Sequence, residues 1–404
     1  MNKRAKARSL GIKVGRLPTG EKNCITDVAD VRVGHVTIDS PIKPNAQLEG
    51  DSNEEAQEEY ACTGVTAILP HGGSLFREKV VAASYVLNGF GKTTGLVQVD
   101  ELGQIESPIM LTNTLSVPAV THGALQHMLQ ENPEIGDTTS TINMVTAECN
   151  DGYLNSIRNL YVTPEHALEA IRQASTDQVP EGAVGAGKGM VCFGYKGGIG
   201  SSSRIIKDDS SDSDSTYTLG SLVLSNFGKR EEFQLERYLS KVEQLEGQRT
   251  IRVDQEKVQA NTRGVTVETK EATMEATTAD LGKEVPDGSI IIVLATDAPL
   301  SDRQLKRVAK RCGIGLGRTG SHFSHGSGDI VVAFSTANKI SHFNEQELEQ
   351  KKYIRENHPL MNLLFTAAAE ATEEAIVNSL TQAQTTSGRK QRVVEALNFD
   401  IGRR

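Results

Sequence analysis

From Ser289 to Thr296 the chain reads Ser-Ile-Ile-Ile-Val-Leu-Ala-Thr, a continuous apolar run without alternation. A strand with one wet face would alternate apolar and polar side chains, so this segment reads as a strand buried on both faces. Such a strand needs a layer of structure above it and another below. Ile330 to Phe334 is a second run of this kind, and Gly64 to Leu69 is a shorter one closed by Pro70. Val31, Val33, Val36 and Ile38 give strand-like composition around Gly34. Helix signals lie between these runs. Thr163-Pro164-Glu165 supplies an N-cap, a first-turn proline and an acid at the positive end of the dipole, ahead of Ala167, Leu168 and Ile171. Ser301 and Gln304 form a capping box before Leu305, Val308 and Cys312. An Ala- and Glu-rich helix is expected from about Leu360 to Leu380. Several apolar runs needing cover on both faces, with helices interspersed, point to a layered α/β sandwich rather than a bundle or a pure barrel.

The 404 residues suffice for one large domain or two ordinary ones. A formal net charge of -9 argues against a protein whose main business is holding phosphate backbones. Lys3, Arg4, Lys6 and Arg8 form the basic exception and read as a solvated terminal arm. No apolar region follows them as it would in a signal peptide, and no segment approaches the ~18 apolar residues of a membrane span. Cys24, Cys62, Cys149, Cys192 and Cys312 are odd in number and scattered, which suits neither a disulfide framework nor a zinc site. A soluble protein of a reducing, cytoplasmic compartment is expected. Residues 39–60 and Asp208 to Ser215 read as polar surface loops. Residues 229–285, rich in Lys, Glu, Gln and Thr, read as a long, poorly packed insertion ending in the turn Pro286-Asp287-Gly288.

Three glycine patterns resemble nucleotide-binding loops without meeting their requirements. Gly182-x-x-x-x-Gly187-Lys188 is followed by Gly189, not by the Ser or Thr that would hold magnesium, and then by a strand instead of a helix. Gly313-x-Gly315-x-Gly317 follows a helix instead of a strand. Gly197-Gly198-x-Gly200 before Ser201-Ser202-Ser203 reads as a turn. No H-E-x-x-H pair occurs, and His322 and His325, without a neighbouring cysteine, read as loop or core histidines. Catalytic groups are therefore sought among hydroxyls and carboxylates.

The junction Gly288-Ser289 carries more information. A serine at the mouth of an interior strand is held rigidly in a partly dry place, and the glycine before it can adopt a conformation that exposes its carbonyl. Attack by the Ser289 hydroxyl on that carbonyl would turn the peptide into an ester. Hydrolysis of the ester would free an α-amino group, with an ordinary pKa near 8, able to act as base for the same hydroxyl. Taken alone, Gly-Ser before a strand is commonplace.

Set beside the other segments, it is not alone. Ile25 to His35, Thr63 to Pro70, Leu87-Asn-Gly-Phe-Gly91, Thr112-Asn-Thr114, Glu148 to Asn155, Gly187 to Gly200, Ser225-Asn-Phe-Gly228, Asp287 to Pro299, Arg318 to Ser321, Gly326-Ser-Gly-Asp329 and Ala369 to Ala375 recur in order. Through them the chain resembles the L-aminopeptidase/D-esterase and β-peptidyl aminopeptidase family from near one end to the other. The resemblance implies a four-layer αββα sandwich of the N-terminal-nucleophile hydrolase type. It also implies self-cleavage into residues 1–288 and 289–404, oligomers of the processed units, and no metal or organic cofactor. It assigns Ser289 as nucleophile, Asn226 as the amide that stabilises the oxyanion, and Tyr153 as a hydroxyl at the reacting centre. Ser327 would lie beside the nucleophile's amine, with Asp329 standing where some relatives carry Glu. Glu148 would pair with the substrate's free ammonium.

The long link at 229–285 departs from the family pattern, in which a much shorter connection is expected. Two rival readings remain at this level. One is an acyltransferase resembling ornithine acetyltransferase, which uses Thr where this chain has Ser289. The other is an uncleaved, inactive scaffold.

Overall fold

The computed structural model describes residues 4–42, 59–207, 215–238, 251–252, 288–344, 346–398 and 400–401. The expected loops at 43–58 and 208–214, and the insertion over 239–250 and 253–287, lie outside the described residues. In chain order the main elements are β1 (Arg32–Pro41), β2 (Tyr60–Leu69), β3 (Glu78–Gly89), α1 (Leu96–Leu102), β4 (Gln104–Ile105), β5 (Ile109–Asn113), α2 (Val117–Glu131), β6 (Val145–Cys149) and α3 (Pro164–Arg172). They continue as β7 (Val191–Cys192), β8 (Tyr195–Lys196), β9 (Gly198–Lys207), β10 (Thr216–Asn226), β11 (Ile251–Arg252), β12 (Ser289–Thr296), α4 (Asp302–Ala309), α5 (Cys312–Thr319), β13 (Gly328–Ser341) and α6 (Pro359–Gln382).

Two sheets carry the architecture. One has the order β1-β2-β5-β6, the other β4-β3-β13-β12-β10-β9. The apolar run after Ser289 is the interior strand β12, and its two faces feed two cores. Ile290, Ile292 and Leu294 pack with Leu364, Ala367, Ala371 and Ala375 of α6. Ile291, Val293 and Ala295 face Leu111, Val145 and Ala147 of the four-stranded sheet. Each Ile, Val or Leu side chain of the run taken from water contributes about 1.5–3 kcal/mol, which is why an unalternating run must sit between layers. A third core joins Val65, Ala67 and Met110 to Val120 and Ala124 of α2 and to Ala167 and Ala170 of α3. The layers are therefore helix, sheet, sheet, helix, as the resemblance implies.

Ser301 caps α4, accepting from Gln304 N and receiving its side chain in return, as its capping box predicts. Cys312 opens the separate helix α5 instead of continuing α4. The loop expected over 39–60 is shorter than its composition suggests, since β1 runs to Pro41 and β2 begins at Tyr60.

Three sequence expectations are corrected. The basic terminal arm is not solvated: Arg4 bonds the Leu397 carbonyl at 2.6 Å, Lys6 bonds the Asn23 carbonyl and pairs with buried Glu181, and Arg8 pairs with Glu374. Each of these cations finds a partner inside the fold. Lys3 lies outside the described residues. Gly198-x-Gly200 is not a turn but the start of β9; a Cβ on Gly200 would fall 1.9 Å from the Ala375 carbonyl oxygen, so glycine lets α6 press onto the sheet. The first ten residues of the insertion are not wholly unpacked: Phe233 stacks on Phe193, and Tyr238 is fully buried with its hydroxyl on Glu373, while most of their neighbours stay exposed. The aromatic spacing in an otherwise polar stretch gives these two residues a core to fill.

Candidate functional site

Ser289 is the first residue of β12, and the two flanking strands decide what surrounds it. On one side β10 runs antiparallel and sets Asn226 directly opposite Ser289. On the other, β13 runs parallel and pairs Asp329 with Ile290. The Gly328 N–H donates to Ser289 Oγ at 3.1 Å. Gly288 fits because it has no side chain: a Cβ there would fall 1.8 Å from the Asn226 carbonyl oxygen.

The Asn226 amide is held at both ends. Its Oδ1 accepts from Val191 N–H at 2.8 Å, and its Nδ2 donates to the Asn150 carbonyl at 3.0 Å. An amide nitrogen carries two hydrogens, so one remains for a further acceptor.

Ser327 Oγ donates to Asp329 Oδ1 at 2.6 Å, while Asp329 Oδ2 is buried without a partner. Burial pushes the Asp329 carboxyl up to about 6, against the opposing effects of the Ser327 hydroxyl and the Ile290 N–H. The loop bearing Ser327 is anchored by Asn88, whose Nδ2 donates to the carbonyls of Ser324 and Ser327 at 2.7 Å each.

Glu148 is the penultimate residue of β6 and lies in the same region. A Cβ on Gly91 would lie 3.5 Å from Gly328 Cα and 3.9 Å from Glu148 Oε1, which ties the carboxylate to the loop that touches Ser289. Glu148 Oε1 accepts from Lys92 N–H at 2.9 Å and Oε2 from the Thr114 hydroxyl. Each oxygen still has a free lone pair.

Of the residues singled out in the sequence, Gly288, Ser289, Asn226, Ser327, Asp329 and Glu148 are thus drawn together. The last five are 6, 8, 3, 1 and 3 % exposed, so the centre is dry enough for dipoles to count. Tyr153 is linked only indirectly. It is three residues beyond Asn150, its ring lies under the Arg392 guanidinium at 4.7 Å, and it packs on the small cluster containing Cys62 and Val191. No hydrogen bond joins its hydroxyl to Ser289. Sequence reasoning did not single out Asn88, Thr114 or Lys196, although each lies in a segment that carries the resemblance. Among the described residues no three His, Cys, Asp or Glu side chains are grouped to hold a metal ion, and His325 stands beside Phe90 with ring centroids 6.4 Å apart. All five cysteines are buried and free. No helix among the described residues is long and apolar enough to cross a membrane.

The arrangement is a serine hydroxyl at a chain position that scission could turn into an N-terminus, flanked by an amide donor and a Ser–Asp pair. Comparison with known proteins agrees with it. Over 385 residues the chain is 39% identical to the β-peptidyl aminopeptidase BapA of Sphingosinicella microcystinivorans, covering 95% of this chain and 87% of that protein. Among solved structures, the PH0078 protein from Pyrococcus horikoshii OT3 is 45% identical with a TM-score of 0.77, covering 97% of this chain and 96% of that one. The L-aminopeptidase D-Ala-esterase/amidase from Ochrobactrum anthropi, described as a prototype for the serine aminopeptidases and a variant of the Ntn hydrolase fold, is 31% identical with a TM-score of 0.77, covering 97% and 95%. Residues 23–394 match peptidase family S58, and the chain belongs to that family.

Proposed function

We propose that this S58 member is a self-processing aminopeptidase whose nucleophile is Ser289, freed as an N-terminus by scission of the Gly288–Ser289 bond. The observation that carries the reading is the placement of Ser289 between the Asn226 amide and the Gly328 N–H, beside the Ser327–Asp329 pair. In the precursor, Ser289 Oγ adds to the Gly288 carbonyl carbon, the C–N bond breaks, and the nitrogen takes up a proton. Water then hydrolyses the resulting ester, leaving residues 1–288 and 289–404 as two associated chains. In turnover the neutral α-amine of Ser289 takes the proton from Oγ as Oγ attacks the substrate carbonyl. The remaining Asn226 N–H receives the developing oxyanion, a donor fixed before the charge appears. The amine returns its proton to the leaving group, and water attacks the acyl-enzyme by the same route in reverse.

Ser327 and Asp329 orient the amine. Glu148 receives the substrate's ammonium, which selects peptides, amides or esters with a free amino terminus. Tyr153 contributes its hydroxyl at the mouth only if its loop shifts on binding or processing. The processed units assemble as homo-oligomers, and residues 229–285 serve as a linker that scission frees at one end. The buried free thiols support a reducing, cytoplasmic setting. Intact-mass measurement and N-terminal sequencing test the reading. Two fragments are expected, the smaller beginning Ser-Ile-Ile-Ile, and Ser289→Ala should remain uncut and inactive. A fully active, intact chain would overturn it.

A further inference from the structure

Asn226 is held in place by two backbone groups, and one of them belongs to a peptide gripped by a buried lysine. Lys196 ends β8 with its side chain fully enclosed. Its ammonium donates to the carbonyls of Met190 at 2.7 Å, Gly197 at 2.8 Å and Gly187 at 2.9 Å. These three acceptors use all three of its N–H bonds. No carboxylate of a described residue forms an ion pair with it, and burial pulls its pKa down, while buried Asp151 at longer range and three carbonyl acceptors favour the protonated form. A cation without a contacting carboxylate in so dry a place is costly to keep.

The three carbonyls show where that cost is used. The Met190 carbonyl and the Val191 N–H are the two ends of one peptide group, and that N–H is the one donating to Asn226 Oδ1. The Gly197 carbonyl and Gly198 N–H form another peptide, whose N–H reaches Ser225 Oγ, next to Asn226, at 3.4 Å. A positive charge on a peptide oxygen draws electron density from its nitrogen and strengthens the N–H as a donor. A stronger Val191 donor commits the amide oxygen of Asn226 to that side. Its nitrogen must then face the Asn150 carbonyl and the reacting centre.

We propose that Lys196 is a positioning residue for the reaction, acting through the Met190–Val191 peptide to fix and polarise the Asn226 amide that receives the oxyanion. The inference rests on the N-terminal-serine reading and deepens it.

Lys196→Met, Asn226→Ala and the double variant, purified as processed full-length protein, separate the two. With an L-aminoacyl p-nitroanilide, Asn226→Ala alone should lower kcat by roughly 10²–10³. Lys196→Met should lower kcat about tenfold with KM nearly unchanged, because the oxyanion exists only in the transition state. Added to Asn226→Ala, it should cost nothing further, since its effect passes through that amide. Lys196→Arg, which keeps the cation, should retain most of kcat. Lys196→Gln, which keeps donors without charge, carries the same comparison where Lys196→Met does not accumulate as folded protein. An equal loss in both backgrounds, or an unchanged kcat beside an impaired Asn226→Ala enzyme, overturns the role of Lys196. Full activity of Asn226→Ala itself would overturn the oxyanion assignment and the inference with it.

Discussion

Glu148 offers the sharpest test of what the site selects, because its neighbours allow charge to be removed without removing the scaffold. The carboxylate accepts one bond from Lys92 N–H and one from the Thr114 hydroxyl. In Glu148→Gln the amide oxygen can keep the Lys92 bond. The amide nitrogen then faces Thr114, whose hydroxyl can turn from donor to acceptor. Both structural bonds survive, so folding stability should change by less than about 1 kcal/mol. What disappears is the negative charge offered to a substrate ammonium, a charge-assisted bond of about 1.5–3 kcal/mol. At ~1.4 kcal/mol per factor of ten, that is a rise in KM of roughly 10- to 150-fold. Because the contact exists before and during the chemistry, kcat should move far less. The assay compares one L-aminoacyl p-nitroanilide with its N-acetylated form on both proteins. The unmodified enzyme should turn over only the free amine. A Glu148→Gln enzyme with lowered thermal stability and unchanged KM would reduce Glu148 to a loop tie. Equal turnover of free and blocked substrates would refute the aminopeptidase selection altogether.

Other perturbations read different parts of the site. Gly288→Ala would place a methyl group 1.8 Å from the Asn226 carbonyl oxygen, so strand entry must shift and processing should slow at least tenfold on a gel time course. The Asp329 carboxyl, raised to about 6, is ionised above that pH, so kcat should fall as pH drops through about 6, and Asp329→Asn should lack that step in a kcat profile between about pH 5 and 8. Fully buried Arg204 pairs with Glu370 at 3.1 Å and Glu374 at 2.7 Å; Arg204→Met leaves Glu370 with backbone donors but no ion-pair partner and Glu374 with Arg8 alone, and should cost about 3–5 kcal/mol in denaturant unfolding, whereas a loss below about 1 kcal/mol would show that Arg8 and the backbone donors carry the pair.

How much of this was legible in the sequence depends on the range over which each signal acts. The unalternating run after Ser289 could be read from local composition alone, because only a strand covered on both sides tolerates it, and β12 is such a strand. The capping box at Ser301 is likewise local, and α4 starts where it says. The assembly of the centre is not local. Asn226 meets Ser289 through the register of β10 against β12, and Asp329 through that of β13, and nothing in the spacing of these residues encodes either register. They were found through resemblance to a family. The failures have the same origin in reverse. Lys6 and Arg8 look solvated as a basic terminal cluster until Glu181 and Glu374 arrive from distant segments. Lys196 is hidden for the same reason: it stands among Tyr195, Gly197 and Gly198 with no acid near it in sequence, and nothing local says that its side chain turns inward. In the fold the tight β7–β8 ribbon turns that side chain inward, and the carbonyls of Gly187, Met190 and Gly197 solvate the ammonium.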